Sequence, residues 1–146
     1  MNTVASRPSV SFNIPSALLR RALLTDATLT ALTGIALLVA AGPLSTLLSL
    51  PTTLLRTSGL IFVSFAALVG WLGTRLRVHR PLVFVVIAVN ALWALDSVLL
   101  LFTGWVTPTA LGEFFVIAQA LFTAVMAEVE FIGLRRSTVV HSYAPQ

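Results

Sequence analysis

The chain has 146 residues, of which 58% are hydrophobic and only 10% are charged, and its mean hydropathy is +0.99. A soluble domain carries about 25% charged residues, so this composition excludes a soluble globular domain and indicates a protein of the lipid bilayer. The net charge of +4 comes from nine arginines without any lysine, and the absence of cysteine excludes disulfides and thiol chemistry.

Four apolar stretches in the sequence are each long enough to cross a bilayer as a helix, which takes about 20 residues. They cover residues 22–41, 57–74, 81–102 and 110–134, with a short interfacial segment over 43–55 that Pro51 interrupts. Residues 17–136 are therefore predicted to form a single all-α domain, a transmembrane four-helix bundle. Residues 1–16 are predicted to be a disordered cytoplasmic N-terminus, and residues 137–146 a cytoplasmic tail.

The first span has two interpretations. Ser16 is a suitable N-cap for a helix that begins at Ala17. Alternatively, Arg20 and Arg21 before an apolar run that ends in small residues at 39–41 are also typical of a cleaved secretory signal. Asp26 and four threonines make this run polar for a signal core, which favours a retained span. Cleavage would leave three spans.

Arginine placement predicts the orientation of the bundle. Eight arginines lie in the N-terminal segment, in the connection at 75–80 and at the start of the C-terminal tail, whereas Arg56 is alone on the opposite side. Cytoplasmic loops carry the excess of basic residues, so both termini are expected in the cytoplasm. The expected location is the bacterial cytoplasmic (inner) membrane.

A candidate intramembrane polar site lies in spans three and four. Asn90 and Gln119 fall near the midplane and are expected to face each other, either as a hydrogen-bonded pair that joins helices or as a site for a polar substrate. Asp96 lies roughly 6 Å further towards the outside. It is expected to be hydrogen-bonded inside the bundle next to Trp93, where it serves either as a packing donor or as a proton carrier. Alternatively, its side chain extends towards the outer surface of the membrane.

A second group of charged residues lies near the cytoplasmic ends of spans one and four. Acidic and basic side chains occur there within about two helical turns of each other, which favours ion pairs at the level of the headgroups. Glu128 and Glu130 point about 200° apart on a helix, so at most one of them faces the core. The candidate ion-pairing residues are Asp26, Glu128, Glu130, Arg20, Arg21, Arg135 and Arg136.

Motifs for enzyme chemistry are missing from the sequence. It contains neither a glycine-rich phosphate loop nor a H-E-x-x-H motif, and its two histidines fall in a loop and a tail. We therefore expect no enzymatic activity, cofactor, metal site or nucleic-acid partner.

Several short segments resemble those of a family of small four-span bacterial integral membrane proteins without an assigned function. The segments are 22–27, 40–44, 90–93 and 133–136, and the resemblance covers roughly residues 18–137. The layout is more distantly similar to DoxX-like membrane proteins. The resemblance implies an inner-membrane four-helix bundle and supplies no catalytic residues.

Two functions are compatible with these observations. The first is a structural or interaction subunit of a membrane complex, which needs only packing residues. The second is a small oligomeric transporter or channel that uses the polar residues of spans three and four. In either case the lipid bilayer surrounds the protein, and the expected partner is another membrane protein or a further copy of the chain.

Overall fold

The computed structural model describes residues 10–142, which form a bundle of helices closed at one end by two strands. The elements in chain order are β1 (Val10–Ile14), α1 (Ala17–Val39), α2 (Ala41–Leu48), α3 (Thr52–Thr74), α4 (Arg80–Phe102), α5 (Ala110–Arg135) and β2 (Thr138–Ser142). This architecture confirms the predicted all-α fold. α1, α3, α4 and α5 are each long and apolar enough to cross a membrane, as expected of a multi-pass membrane protein.

The helix boundaries follow from local caps and breaks. α1 begins at Ala17, five residues before the apolar stretch predicted for the first span. The Ser16 hydroxyl caps this helix by accepting the N–H of Leu19 at 3.1 Å, which confirms the predicted N-cap. The segment predicted over 43–55 is divided in two. Ser49 adopts a left-handed conformation with φ 55° that ends α2, and the following residues from Thr52 belong to α3.

The helices pack in the order α3, α1, α5, α4, so α3 and α4 are neighbours in the chain but share few close contacts. The most extensive contact is between α1 and α3, where Gly34 and Gly59 face each other. A Cβ atom on Gly34 would lie only 2.8 Å from the Cβ of Phe62 and 3.0 Å from the carbonyl oxygen of Gly59. Glycine at both positions therefore allows these two backbones to meet.

The two strands close the end of the bundle where α1 begins and α5 ends, which we call the terminal end; α2 and the α4–α5 connection form the far end. β1 pairs with β2 in antiparallel register. Asn13 and Val78 also exchange backbone hydrogen bonds of 3.0 and 2.9 Å, which attach the α3–α4 connection to β1. The start of α1 and the end of α5 therefore lie at the same end of the bundle.

This strand pair differs from the disorder predicted over residues 1–16 and the unstructured tail predicted over 137–146. Residues 10–14 and 138–142 satisfy each other's backbone hydrogen bonds, because the helix ends bring them side by side. The rest of the two predicted segments, residues 1–9 and 143–146, lies outside the described residues.

Candidate functional site

Four polar side chains meet in the interior of the bundle, and we call them the buried polar cluster: Asp26, Thr30, Asn90 and Glu130. The Asn90 Nδ2 donates to Asp26 Oδ2 at 2.9 Å and to Glu130 Oε2 at 3.4 Å. The Thr30 hydroxyl donates to the other oxygen of Asp26 at 2.9 Å. Asp26 and Glu130 are 0% exposed and Asn90 is 2% exposed. One amide thus holds carboxyl groups from two different helices.

The charge balance of the buried polar cluster is unusual. The two carboxyl groups share the Nδ2 donor of Asn90. Glu130 Oε1 is buried and has no hydrogen-bond partner. Among residues 10–142, no arginine forms an ion pair with either carboxyl group. Each ionised carboxylate costs several kcal/mol when it is buried without an opposite charge, so the cluster is an expensive feature for packing alone.

The structure thus differs from the predicted ion pairs at the helix ends. Asp26 and Glu130 bond Asn90 instead of arginines, while Glu128 is exposed. The four candidate arginines are exposed as well, and Arg135 lies 5.8 Å above the ring of Phe131. The physical reason is helical phase, because Asp26 and Glu130 fall on the stripes of α1 and α5 that face the other helices.

Those stripes could have been found in the sequence. In α1 the buried residues recur every three or four positions, at Leu19, Leu23, Asp26, Thr30, Gly34 and Leu37. In α5 the same spacing runs through Val116, Ala120, Thr123, Ala127, Glu130 and Gly133. An acid on such a stripe turns inward whatever arginines precede or follow it.

A central cavity of about 280 Å³ adjoins the buried polar cluster between α1, α3, α4 and α5. Thr30 and Asn90 belong to both, so these two side chains separate the carboxyl groups from the cavity. The walls carry five aromatic side chains, namely Phe62, Phe65, Trp93, Phe115 and Phe122. Phe62 and Trp93 stack edge to face with ring centroids 4.8 Å apart, which joins α3 to α4.

A second cavity of about 580 Å³ lies towards the far end, and we call it the outer cavity. It shares Trp93, Phe115 and Gln119 with the central cavity. Ser58, Asp96, Ser97 and Thr103 supply polar groups to its lining. The two cavities therefore follow one another along the bundle, and the shared residues stand between them.

The three residues predicted as an intramembrane polar site are only partly brought together. Asn90 and Gln119 both line the central cavity, but Asn90 gives its amide hydrogens to the two carboxyl groups and not to Gln119. Asp96 is exposed and lines the outer cavity, whereas we expected it to be hydrogen-bonded inside the bundle. Its neighbour Trp93 has a buried Nε1 without a hydrogen-bond partner.

Metal chemistry finds no support in this arrangement. Within residues 10–142, no group of three or more histidine, aspartate or glutamate side chains could hold a metal ion.

Compared with protein-family models, curated proteins and solved structures, the chain matches none of them. The resemblance to small bacterial membrane proteins and to the DoxX-like layout therefore stays a prediction.

Proposed function

We propose that this protein is a small non-enzymatic transporter of the bacterial inner membrane. In it, the buried polar cluster releases and takes up a proton as the central cavity is loaded and emptied. The observation that carries the proposal is the pair of fully buried carboxyl groups, Asp26 and Glu130, behind the cavity wall that Thr30 and Asn90 form. Ionisable groups inside a membrane mark substrate and proton pathways.

The energetic argument starts from the empty cavity. Two ionised carboxylates in contact would repel each other and would both lack hydration, so the pair holds at least one proton when no ligand is near. A positively charged ligand on the other side of Asn90 compensates the charge that appears when this proton leaves. Loading and proton release are then coupled, because each makes the other less costly.

The arginines favour a cytoplasmic terminal end. Within the described residues, Arg56 lies at the far end and the other arginines lie at the terminal end, where Arg75 stacks 4.5 Å above Trp71. Reporter fusions after Arg77 and at the C-terminus should therefore be cytoplasmic, and fusions after Arg56 and Trp105 periplasmic. A periplasmic C-terminus would contradict this topology.

Proton flux into vesicles tests the transporter proposal. Purified protein is reconstituted in vesicles that contain a pH-sensitive dye, and gradients of choline, glutamate or glucose are imposed in turn. We expect at least one gradient, foremost that of the cation choline, to drive proton movement. Glu130→Gln should abolish this movement, whereas Glu128→Gln, an exposed acid two residues away, should retain it. Proton movement no faster than in empty vesicles with all three solutes, and with a 2-phenylethylammonium gradient as well, would refute the proposal.

A second candidate, the membrane-complex subunit, has one observation in its favour. Asp96 is exposed on α4 among exposed apolar side chains such as Leu92 and Leu95, where a neighbouring helix would supply a partner. In mild detergent, purification from native membranes should then recover a stoichiometric partner that Asp96→Leu releases. Recovery of the chain without such a partner would argue against this candidate.

A further inference from the structure

The chemistry of its lining determines what the central cavity can accept. Resting on the proposed function, we propose that the central cavity binds a primary amine in its ammonium form, attached to a small aromatic or alkyl group. The carboxyl pair behind Asn90 supplies the balancing negative charge. Hydrogen-bond directions, aromatic walls and size lead independently to this ligand class.

Four of the six polar side chains of the lining already donate their hydrogens to other groups of the protein. Thr30 donates to Asp26, Thr33 donates to the Leu29 carbonyl at 2.9 Å, and Thr123 donates to the Gln119 carbonyl at 3.1 Å. Asn90 uses its amide nitrogen on the two carboxyl groups. What these four side chains offer to a ligand is therefore oxygen acceptors alone.

Donors for a ligand are few in this lining. Among its described side chains, only the Gln119 amide and the unpartnered Trp93 Nε1 can donate to a ligand. A carboxylate or phosphate ligand needs several donors, so it would leave buried lone pairs unpaired here. An ammonium group brings three donors and no acceptor, which complements the threonine and Asn90 oxygens.

The aromatic walls favour the same ligand class. Five aromatic side chains surround the cavity, and the face of an aromatic ring attracts a cation within about 6 Å of its centroid. A volume of about 280 Å³ corresponds to about nine water molecules at about 30 Å³ each. The part of a ligand that lies inside the cavity therefore has about nine or ten non-hydrogen atoms.

The charge of the buried polar cluster attracts an ammonium ligand towards one side of the central cavity. Asn90 touches the cavity with one side and both carboxyl groups with the other, and Glu130 Oε1 carries an unused lone pair. In this poorly solvated interior the attraction between an ammonium group and a carboxylate is much stronger than in water. Release of the shared proton then leaves a negative charge close to the ligand.

Trp93 provides a reporter for a binding test. The chain has 3 tryptophans, so the double variant Trp71→Phe, Trp105→Phe leaves Trp93 as the only tryptophan emitter in the cavity wall. The probes are 2-phenylethylammonium, 2-phenylethanol and phenylacetate, which are close in size and differ in charge. We expect saturable changes in Trp93 emission, with at least tenfold tighter binding of the ammonium probe than of the alcohol and the weakest binding for the carboxylate.

Two matched variants sharpen the binding test. Thr33→Val removes an acceptor from the cavity, whereas Thr28→Val removes an exposed hydroxyl that is bonded in the same way to the carbonyl four residues earlier. Thr33→Val should weaken binding of the ammonium probe by about tenfold or more, as for one hydrogen bond to a charged group, and Thr28→Val should leave its affinity unchanged. If the double tryptophan variant fails to fold, isothermal titration calorimetry of the unmodified chain gives the same comparison.

The outcomes separate this inference from the proposed function. Equal affinity for the alcohol, or tighter binding of the carboxylate, overturns the inference. Glutamate-driven or glucose-driven proton movement in vesicles would then leave the transporter proposal standing. Selective ammonium binding without proton movement driven by a 2-phenylethylammonium gradient, above that in empty vesicles, would support the ligand class and refute coupled transport.

Discussion

Asp26 and Asp96 are both lone aspartates within apolar helices, but they lie in different halves of the bundle. In the terminal half, Asp26 is 0% exposed and bonded to Asn90 and Thr30. In the far half, Asp96 is exposed beside the outer cavity. The difference follows from packing, because the backbone of α1 approaches both α3 and α5 closely, whereas α4 approaches only α5 closely and meets α3 through side chains such as the Phe62–Trp93 pair. An intramembrane acid therefore acquires its environment from the helices around it.

The largest effect is expected where the terminal half is most tightly packed. A Cβ on Gly133 would lie 2.8 Å from the backbone N and Cα atoms of Leu19. Gly133→Val should therefore lower the free energy of unfolding by about 3 kcal/mol, the upper end of overpacking costs. A Cβ on Gly42 would meet nothing within 4 Å, so Gly42→Val is the matched control with a far smaller effect. Equal losses, measured by denaturant titration in mixed micelles, would contradict the packing difference.

The next effect concerns the amide of the buried polar cluster. Asn90→Leu removes the donor that both carboxyl groups share, so it should destabilise the bundle by about 2 kcal/mol. The matched control is Gln119→Leu, since no side-chain hydrogen bond of Gln119 occurs in the described structure and its side chain is half-buried. The same micelle titration measures both variants. A smaller loss of unfolding free energy for Asn90→Leu than for Gln119→Leu would indicate that the amide of Gln119, and not that of Asn90, stabilises the bundle.

Double-mutant cycles sharpen the comparison of these two amides. Asn90 and Asp26 should couple by about 0.6 to 1.7 kcal/mol, the range found for hydrogen bonds between transmembrane helices. Asn90 and Gln119, which the sequence predicted as a pair, should be additive within about 0.5 kcal/mol. Coupling of Asn90 to Gln119 but not to Asp26 would reverse the assignment of hydrogen bonds.

The smallest effect is expected in the far half. Asp96→Asn keeps the shape of an exposed side chain, so it should change the free energy of unfolding by less than about 0.5 kcal/mol. Asp26→Asn is the counterpart in the terminal half and should exceed it, because the change alters a buried hydrogen-bond network. Similar effects of the two substitutions would remove the distinction between the halves.

The positions of the helices could be predicted from the sequence more easily than the residues of the buried polar cluster. The lengths of the apolar stretches alone located α1, α3, α4 and α5, because an apolar segment that crosses a bilayer must satisfy its own backbone hydrogen bonds and therefore forms a helix. The site depends on helical phase and on which helices are neighbours. The stripe through Leu23, Asp26 and Thr30 was available in the sequence, but the adjacency of α1 to α5 was not, so the meeting of Asp26 with Glu130 could not be predicted.

The strand pair was missed for a related reason. Residues 10–14 and 138–142 are far apart in the chain, and each is too short to indicate a strand by itself. Their pairing depends on the bundle that brings the start of α1 beside the end of α5. Gly133 makes that approach possible, through its contact with Leu19.

Infrared spectroscopy of the carboxyl groups tests the central claim most directly, since a protonated carboxyl has its own C=O band. The account predicts such a band at pH 7 in the unmodified protein and in Asp96→Asn, and its loss in the double variant Asp26→Asn, Glu130→Gln. Reconstitution with the ammonium probe should weaken the band as the shared proton leaves. Absence of any protonated carboxyl in the empty protein, or a band that disappears with Asp96→Asn alone, would contradict the account.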